Sequence, residues 1–267
     1  MSPLDALDPK YRLILCDVWG VVHDGVTLYP GAAARLRQWR NEGRCVILIT
    51  NAPRTADAVT RQLGRIGLPR DCWDGIATSG EAGIEALNAL GRPVGFVGTR
   101  GDLAILEGRG VRIAKGDEFT DLACTGITED RPKPEDYCPD LERWSARDVL
   151  MHCLNPDRVV MRGGVLEACA GAIADLYEQL GGRVNWYGKP HEAIYRHALH
   201  LAGDPPASEV LAVGDGLQTD ILGAARMGYD AIFVSGGIHA GEPFPADFAA
   251  RYGLGEWRPV AVVEGLA

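Results

Sequence analysis

Short, almost unbroken apolar runs recur along the chain, each followed by a segment with helical spacing. This alternation restricts the fold more than any other feature. Leu13-Ile14-Leu15-Cys16 is the first run, and Gly31 to Glu42 then carries Ala34, Leu36 and Trp39 at helical spacing. Cys45-Val46-Ile47-Leu48-Ile49 follows, then a helical pattern over 55 to 66, then Gly75-Ile76-Ala77-Thr78-Ser79. Beyond Lys189 the pattern resumes, with a helix from about His191 to Ala202 and a strand at Val210-Leu211-Ala212-Val213. A helical stretch from Asp220 to Met227 and a strand at Ala231-Ile232-Phe233-Val234 complete it. A strand apolar at every position is buried on both faces, and such strands belong to parallel sheets covered by helices on both sides. The expected fold class is therefore α/β, with a parallel, Rossmann-like sheet.

The middle of the chain, about 93 to 182, differs in texture. It opens on Val94-Gly95-Phe96-Val97 and then holds the polar, proline-broken stretch Thr128-Glu129-Asp130-Arg131-Pro132-Lys133-Pro134-Glu135-Asp136. With 267 residues there is room for two modest domains. The expected organisation is a core domain of 1–92 plus 183–267, with 93–182 inserted into it as a second domain.

Charge narrows the choice of partner. Lys and Arg number 27 against 36 Asp and Glu, a net charge of −9, which disfavours nucleic acid because a phosphate backbone needs a basic surface. A small phosphate ester needs only a local positive site and stays eligible. The seven cysteines form no C-x-x-C pair, so reduced thiols in a cytoplasmic protein are expected. The N-terminus shows no signal-peptide pattern, and no apolar run approaches the roughly 18 residues of a membrane span.

The chemistry-bearing residues stand where strands end. Asp17 follows the first apolar run, Thr50-Asn51 the second, and Gly214-Asp215-Gly216-Leu217-Gln218-Thr219-Asp220 the run at 210–213. Ligands of an open parallel sheet bind at the carboxyl ends of its strands. Taken singly, each residue has a bland reading: a capping Asp, a turn-forming Asn, a helix-start acid in Asp220, a solvated Lys189. Two acids beside Asp17 would repel unless a cation lay between them, and oxygen-only ligation suits Mg²⁺. His191, His197 and His200 read as a solvated helix face. Gly98-Thr99-Arg100-Gly101 lacks a full dinucleotide fingerprint. Arg162-Gly163-Gly164 with Glu167 reads equally as a turn or a substrate contact.

In their order along the chain, Asp17, Thr50, Lys189 and Asp215 with Asp220 resemble the motifs of the haloacid dehalogenase superfamily. Leu48-Ile49-Thr50-Asn51, Leu154-Asn155-Pro156-Asp157, Tyr187-Gly188-Lys189-Pro190 and Gly214 to Leu222 look like its NagD-type subclass IIA. That resemblance implies a Rossmann-like core with an inserted α/β cap of the C2 type. It implies a Mg²⁺-dependent phosphatase of a small phosphorylated metabolite, working through an aspartyl-phosphate on Asp17. Thr50 and Lys189 would stabilise the transferring group, with Asn51 a further phosphate contact. Mg²⁺ would sit on Asp17, Asp215 and the backbone carbonyl of Trp19, with Asp220 in support. Dimers are common among similar proteins, so the resemblance leaves a homodimer open.

One position departs from that pattern. Phosphatases of the superfamily usually carry Asp-x-Asp in the first motif, the second Asp moving the proton, whereas here the triplet is Asp17-Val18-Trp19. Indole exchanges no proton at useful pH. General acid–base catalysis typically contributes about 10²–10⁴ in rate, so activity weakened by that amount is one expectation. Three readings stay open. The substrate's leaving group needs little protonation; or Asp24, His23 or a substrate hydroxyl substitutes; or the protein is a catalytically impaired phosphate-binding regulator. Hydrolysis at carbon is a further alternative.

Overall fold

The first apolar run forms β1 (Leu13–Asp17), and the expected alternation follows: α1 (Ala32–Asn41), β2 (Cys45–Thr50), α2 (Ala56–Ile66), β3 (Gly75–Thr78) and α3 (Ser79–Ala89). The middle of the chain supplies β4 (Gly95–Val97), α4 (Arg100–Gly108), β5 (Asp121–Cys124), α5 (Cys138–Ala146), β6 (Leu150–Cys153), the strands β7 (Val159–Arg162) and β8 (Val165–Ala168), α6 (Ala170–Gln179) and β9 (Arg183–Trp186). The remainder gives α7 (Glu192–Leu201), β10 (Val210–Gly214), α8 (Leu222–Arg226), β11 (Asp230–Val234), α9 (Phe248–Tyr252) and β12 (Ala261–Val263). This is a computed structural model, and it describes residues 2–162, 165–237 and 243–267. The described chain falls into two units, one built from 1–50, 56–77 and 189–267, the other from 51–55 and 78–188.

The first unit is organised by a six-stranded sheet of order β12-β11-β10-β1-β2-β3. β1 runs parallel to both β10 and β2, and β11 runs parallel to β10 and β12. The α/β, Rossmann-like class expected from the apolar runs is the observed one. Leu13 and Leu15 of β1 and Ile47 and Ile49 of β2 share a core with Ile194, Tyr195 and Ala198 of α7 and Leu222 and Ala224 of α8. Ile14, Cys16, Val46 and Leu48 alternate with them and are also buried, on the opposite face of the sheet. Both faces are thus covered, which is why the runs contain no polar interruptions.

The second unit holds a four-stranded parallel sheet, β4-β5-β6-β9, and the antiparallel pair β7-β8. Its core gathers Tyr137, Leu141, Trp144, Met151, Ile173 and Tyr177. Two buried polar residues interrupt its strands. His152 of β6 lies 3.0 Å from an Asp121 carboxylate oxygen of β5 and 2.8 Å from the Tyr187 hydroxyl. Gly163 and Gly164, in the stretch read as a turn or substrate contact, lie outside the described residues. Among the described residues no helix is long and apolar enough to cross a membrane.

Some local expectations shift. Asp17 is the last residue of β1 rather than the first beyond it. The helix expected from about His191 is α7, which begins at Glu192 with His191 at its N-cap. The helix expected from Asp220 begins only at Leu222, after a π-helical turn over Leu217–Ile221. There the Asp220 carboxylate accepts the Gly216 amide at 3.1 Å, so a side chain competes with the backbone acceptors of that turn. Thr99, in the glycine-flanked segment Gly98–Gly101, caps α4 reciprocally with Asp102. Leu15 is 1 % exposed in the central strand that ends on Asp17. Leu15→Ala should therefore cost about 2–5 kcal/mol, seen as a lower urea midpoint with an unchanged slope.

Candidate active site

Parallel pairing brings the carboxyl ends of β1 and β10 side by side, with Cys16 opposite Val213. Asp17 closes β1, and Gly214 closes β10 immediately before Asp215. Both loops therefore leave the sheet at the same edge. Asp17, Asp215, Asp220 and Lys189 are all buried there. Lys189 Nζ donates to Asp17 Oδ1 at 2.5 Å and to Asp220 Oδ1 at 2.8 Å. Asp220 Oδ2 takes the Gly216 amide and the Thr219 hydroxyl, each at 3.1 Å. One carboxylate oxygen from each of Asp17, Asp215 and Asp220 lies within 4.8 Å of the others.

Glycines allow this crowding. Gly20 has φ +84°, and a Cβ there would stand 2.0 Å from Asp215 Oδ2. A Cβ on Gly214 would stand 2.2 Å from the Asp220 Cβ. Backbone and acid thus touch with no room for a side chain between them.

Among the described residues three buried carboxylates gather at one point, and Lys189 is hydrogen-bonded to two of them. Burial, reinforced by Asp220, pushes the Asp17 carboxyl well above the usual carboxylate range, against the opposing pull of Lys189. Burial alone would lower the Lys189 ammonium, but the neighbouring Asp17 and Asp220 prevail and raise it. Burial also drives the Cys16 thiol upward, so it is no nucleophile near neutral pH. A small divalent cation fits this donor set: the oxygens are hard and lie within reach of one another. Among the described residues these three acids are the one such grouping of His, Cys, Asp and Glu, and the histidines of α7 form none.

The other residues singled out in the sequence fall in both units. Thr50 ends β2, one position beyond Ile49, which pairs with Asp17. Asn51 is buried, and its side-chain amide donates to Asp157 Oδ1 at 2.8 Å. Its backbone carbonyl accepts the Ser79 hydroxyl at 2.7 Å, and Ser79 also donates to the Leu154 carbonyl at 2.6 Å. Ser79 and Thr219 were missed by sequence reasoning. Both are hydroxyls beside residues that had been picked out, but nothing in their spacing marks them.

Trp19 is 41 % exposed, with its indole edge-on to His23 at 6.5 Å between ring centroids. The two substitute proton carriers are both constrained. Asp24 accepts the amides of Thr27 at 2.7 Å and Val26 at 2.8 Å, and the Thr27 hydroxyl at 2.9 Å. Those bonds hold its carboxyl below the usual range, so it carries no proton to give at neutral pH. His23 is buried, which lowers its imidazole, and its Nδ1 accepts the Gly25 amide at 2.8 Å. The neutral ring therefore carries its proton on Nε2.

Comparison with known proteins agrees with this architecture. The family model of haloacid dehalogenase-like hydrolases matches residues 14–112, and a HAD-hydrolase-like model matches 186–267. The ribonucleotide monophosphatase NagD of Escherichia coli K12 is 30% identical over 230 residues, covering 84% of this chain and 88% of its own. An acid sugar phosphatase of Staphylococcus saprophyticus is 25% identical over 86% of this chain and 88% of its own. A crystallised haloacid dehalogenase-like family hydrolase from Brucella suis 1330 superposes with a TM-score of 0.83 at 36% identity, covering 99% of this chain and 98% of its own. The chain belongs to the haloacid dehalogenase-like hydrolases and, within them, to the NagD-like phosphatases.

The charge balance sets a pH dependence. A carboxyl whose folded pKa is raised adds stability below its unfolded pKa of about 3.9, and that stability is lost as pH rises through the folded value. Lys189→Met removes the group that opposes the rise at Asp17. With a chelator present, the melting temperature of the variant should therefore fall more steeply than that of the wild type from about pH 4 upward. Parallel melting curves across pH would show that Lys189 does not balance these acids.

Proposed function

We propose that this phosphatase hydrolyses the monoester of a small phosphorylated metabolite in the cytoplasm, using Mg²⁺ and an aspartyl-phosphate on Asp17. The first unit is the catalytic core in this reading, and the inserted second unit is the cap. The observation that carries the reading is the buried set of Asp17, Asp215 and Asp220, whose carboxylate oxygens lie within 4.8 Å of one another, with Lys189 bonded to two of them. Asp17, Asp215 and the Trp19 carbonyl would hold the metal, with Asp220 behind them. When bound, Mg²⁺ would offset the carboxylates and draw charge from the phosphoryl oxygens.

Lys189 fixes one Asp17 oxygen, which sets the direction of the other for attack. Asp17 attacks phosphorus, the phosphorus–oxygen ester bond breaks, and its electron pair departs with the leaving oxygen. Water then attacks the phosphorus of the acyl phosphate. The bond to Asp17 breaks, the carboxylate is regenerated, and both protons of the water finish on phosphate. Thr50 and the Lys189 ammonium hold the phosphoryl oxygens as charge shifts among them, and Asn51 remains a phosphate contact only by resemblance. Asp220, tied to Gly216, Thr219 and Lys189, keeps the ammonium in place.

The relatives' names differ in substrate, one a ribonucleotide monophosphatase and another an acid sugar phosphatase, so the metabolite class is not inherited from them. A second reading, a phosphate-binding protein without turnover, is favoured by Trp19 standing where a proton carrier is usual. Asp17→Asn decides between the two. The amide is close to isosteric but no nucleophile, so activity on a panel of phosphate esters should vanish while the melting temperature holds. Wild-type protein inert on the whole panel with Mg²⁺ supports the second reading.

Metal binding gives an independent check. Asp215→Asn should weaken Mg²⁺ binding more than tenfold by calorimetry. Wild-type affinity should fall as pH drops, because the raised Asp17 carboxyl must lose its proton to ligate. Unchanged affinity in the variant would remove Asp215 from the ligand set.

A further inference from the structure

We propose that the Trp19 indole is a substrate-binding platform that selects phosphate esters of aromatic alcohols, an inference that rests on the phosphatase reading above. Among the described residues Trp19 is the one aromatic side chain among the exposed large apolar groups. Its exposure is not the looseness of a surface loop. Gly25, at φ +99°, lies against the indole so closely that a Cβ there would stand 3.1 Å from Trp19 Cζ2. His23 meets the ring edge-on, and the turn beyond is pinned by the three hydrogen bonds to Asp24. A flat ring held this way loses little freedom when a second ring stacks on it.

Its place is next to the chemistry. Trp19 is two residues beyond Asp17, and the following residue, Gly20, has its backbone against the Asp215 carboxylate. A ring stacked on the indole therefore belongs to the part of the substrate nearest the phosphoryl group, which is the leaving group.

The reaction itself points the same way. When Asp17 attacks, the ester oxygen leaves with the bonding pair, as an anion unless a proton reaches it. Trp19 cannot supply one, and Asp24 has none at neutral pH. A phenolic oxygen, with a pKa of about 10 as in tyrosine, accepts the pair far more readily than an aliphatic alkoxide and takes its proton from solvent afterwards. The side chain that replaces the usual acid thus offers a stacking surface to the one class of ester that least needs the acid.

The test compares two phosphonates, which cannot be hydrolysed because carbon replaces the ester oxygen. Phenylphosphonate and ethylphosphonate are titrated calorimetrically into the Mg²⁺-loaded protein. Wild type should bind the phenyl compound about tenfold more tightly, the range expected of one aromatic stack. Trp19→Leu should bring the ratio close to one, and Trp19→Phe should restore most of it, with thermal melts confirming the fold of each. In turnover, Trp19→Leu should raise KM for phenyl phosphate more than it lowers kcat. Equal affinity of the wild type for the two probes overturns the platform without any variant, as does a preference that survives Trp19→Leu. Phenyl preference in binding with no hydrolysis of either ester leaves the platform standing and sinks the phosphatase reading. Hydrolysis of phenyl and ethyl phosphates with no preference in binding does the reverse.

Discussion

Burying charge is expensive, and this fold buries four charged groups within a few ångströms of one another at the edge of its central sheet. An isolated ion moved into a protein interior costs several kcal/mol even after relaxation. What makes the cluster tenable is that two of the acids share a defined counterpart. Lys189 bridges Asp17 and Asp220, while Asp220 turns its second oxygen to a backbone amide and a hydroxyl. The three carboxylate oxygens within 4.8 Å of one another are also the donor set a cation would take, so binding and stability would share one origin. The glycines at 20 and 214 follow from the same requirement, since acids packed directly on backbone leave no space for a Cβ.

Much of this could be read in the sequence, for a physical reason. Strands of a doubly covered sheet must be apolar throughout, so β1, β2, β10 and β11 announce themselves, and the acids that end them stand out against that background. The second unit resisted the same reading because its strands are three or four residues long and carry polar groups inward. Asp121 and His152 break the apolar runs of β5 and β6, yet they are buried because they satisfy each other. Composition cannot distinguish such a pair from two exposed residues.

At the site, residue identity was legible and engagement was not. Asp17, Lys189, Asp215 and Asp220 were all visible as candidates, but nothing in their spacing shows that one ammonium serves two of the acids. Nor does the sequence show that the Asn51 amide is engaged by Asp157. The helix expected from Asp220 starts two residues late because helical periodicity ignores a carboxylate that reaches back to an amide four residues earlier. Trp19 was seen as a loss of proton transfer. Its seating on Gly25 and His23 appears only in three dimensions.

The strand order has a consequence in time. β1 is made well before β10, one of its two neighbours, and the lysine that meets Asp17 lies 172 residues downstream. At about 5–20 residues per second, translation needs roughly 10–35 s to deliver that lysine. Throughout this interval one edge of a wholly apolar strand lacks its partner, and the acid at its tip sits without its cation. The nascent chain therefore passes through a stage in which its most hydrophobic ribbon is open to pairing with other chains. An unpaired strand edge held open during synthesis is a general aggregation hazard, one that the stability of the finished sheet does nothing to shorten.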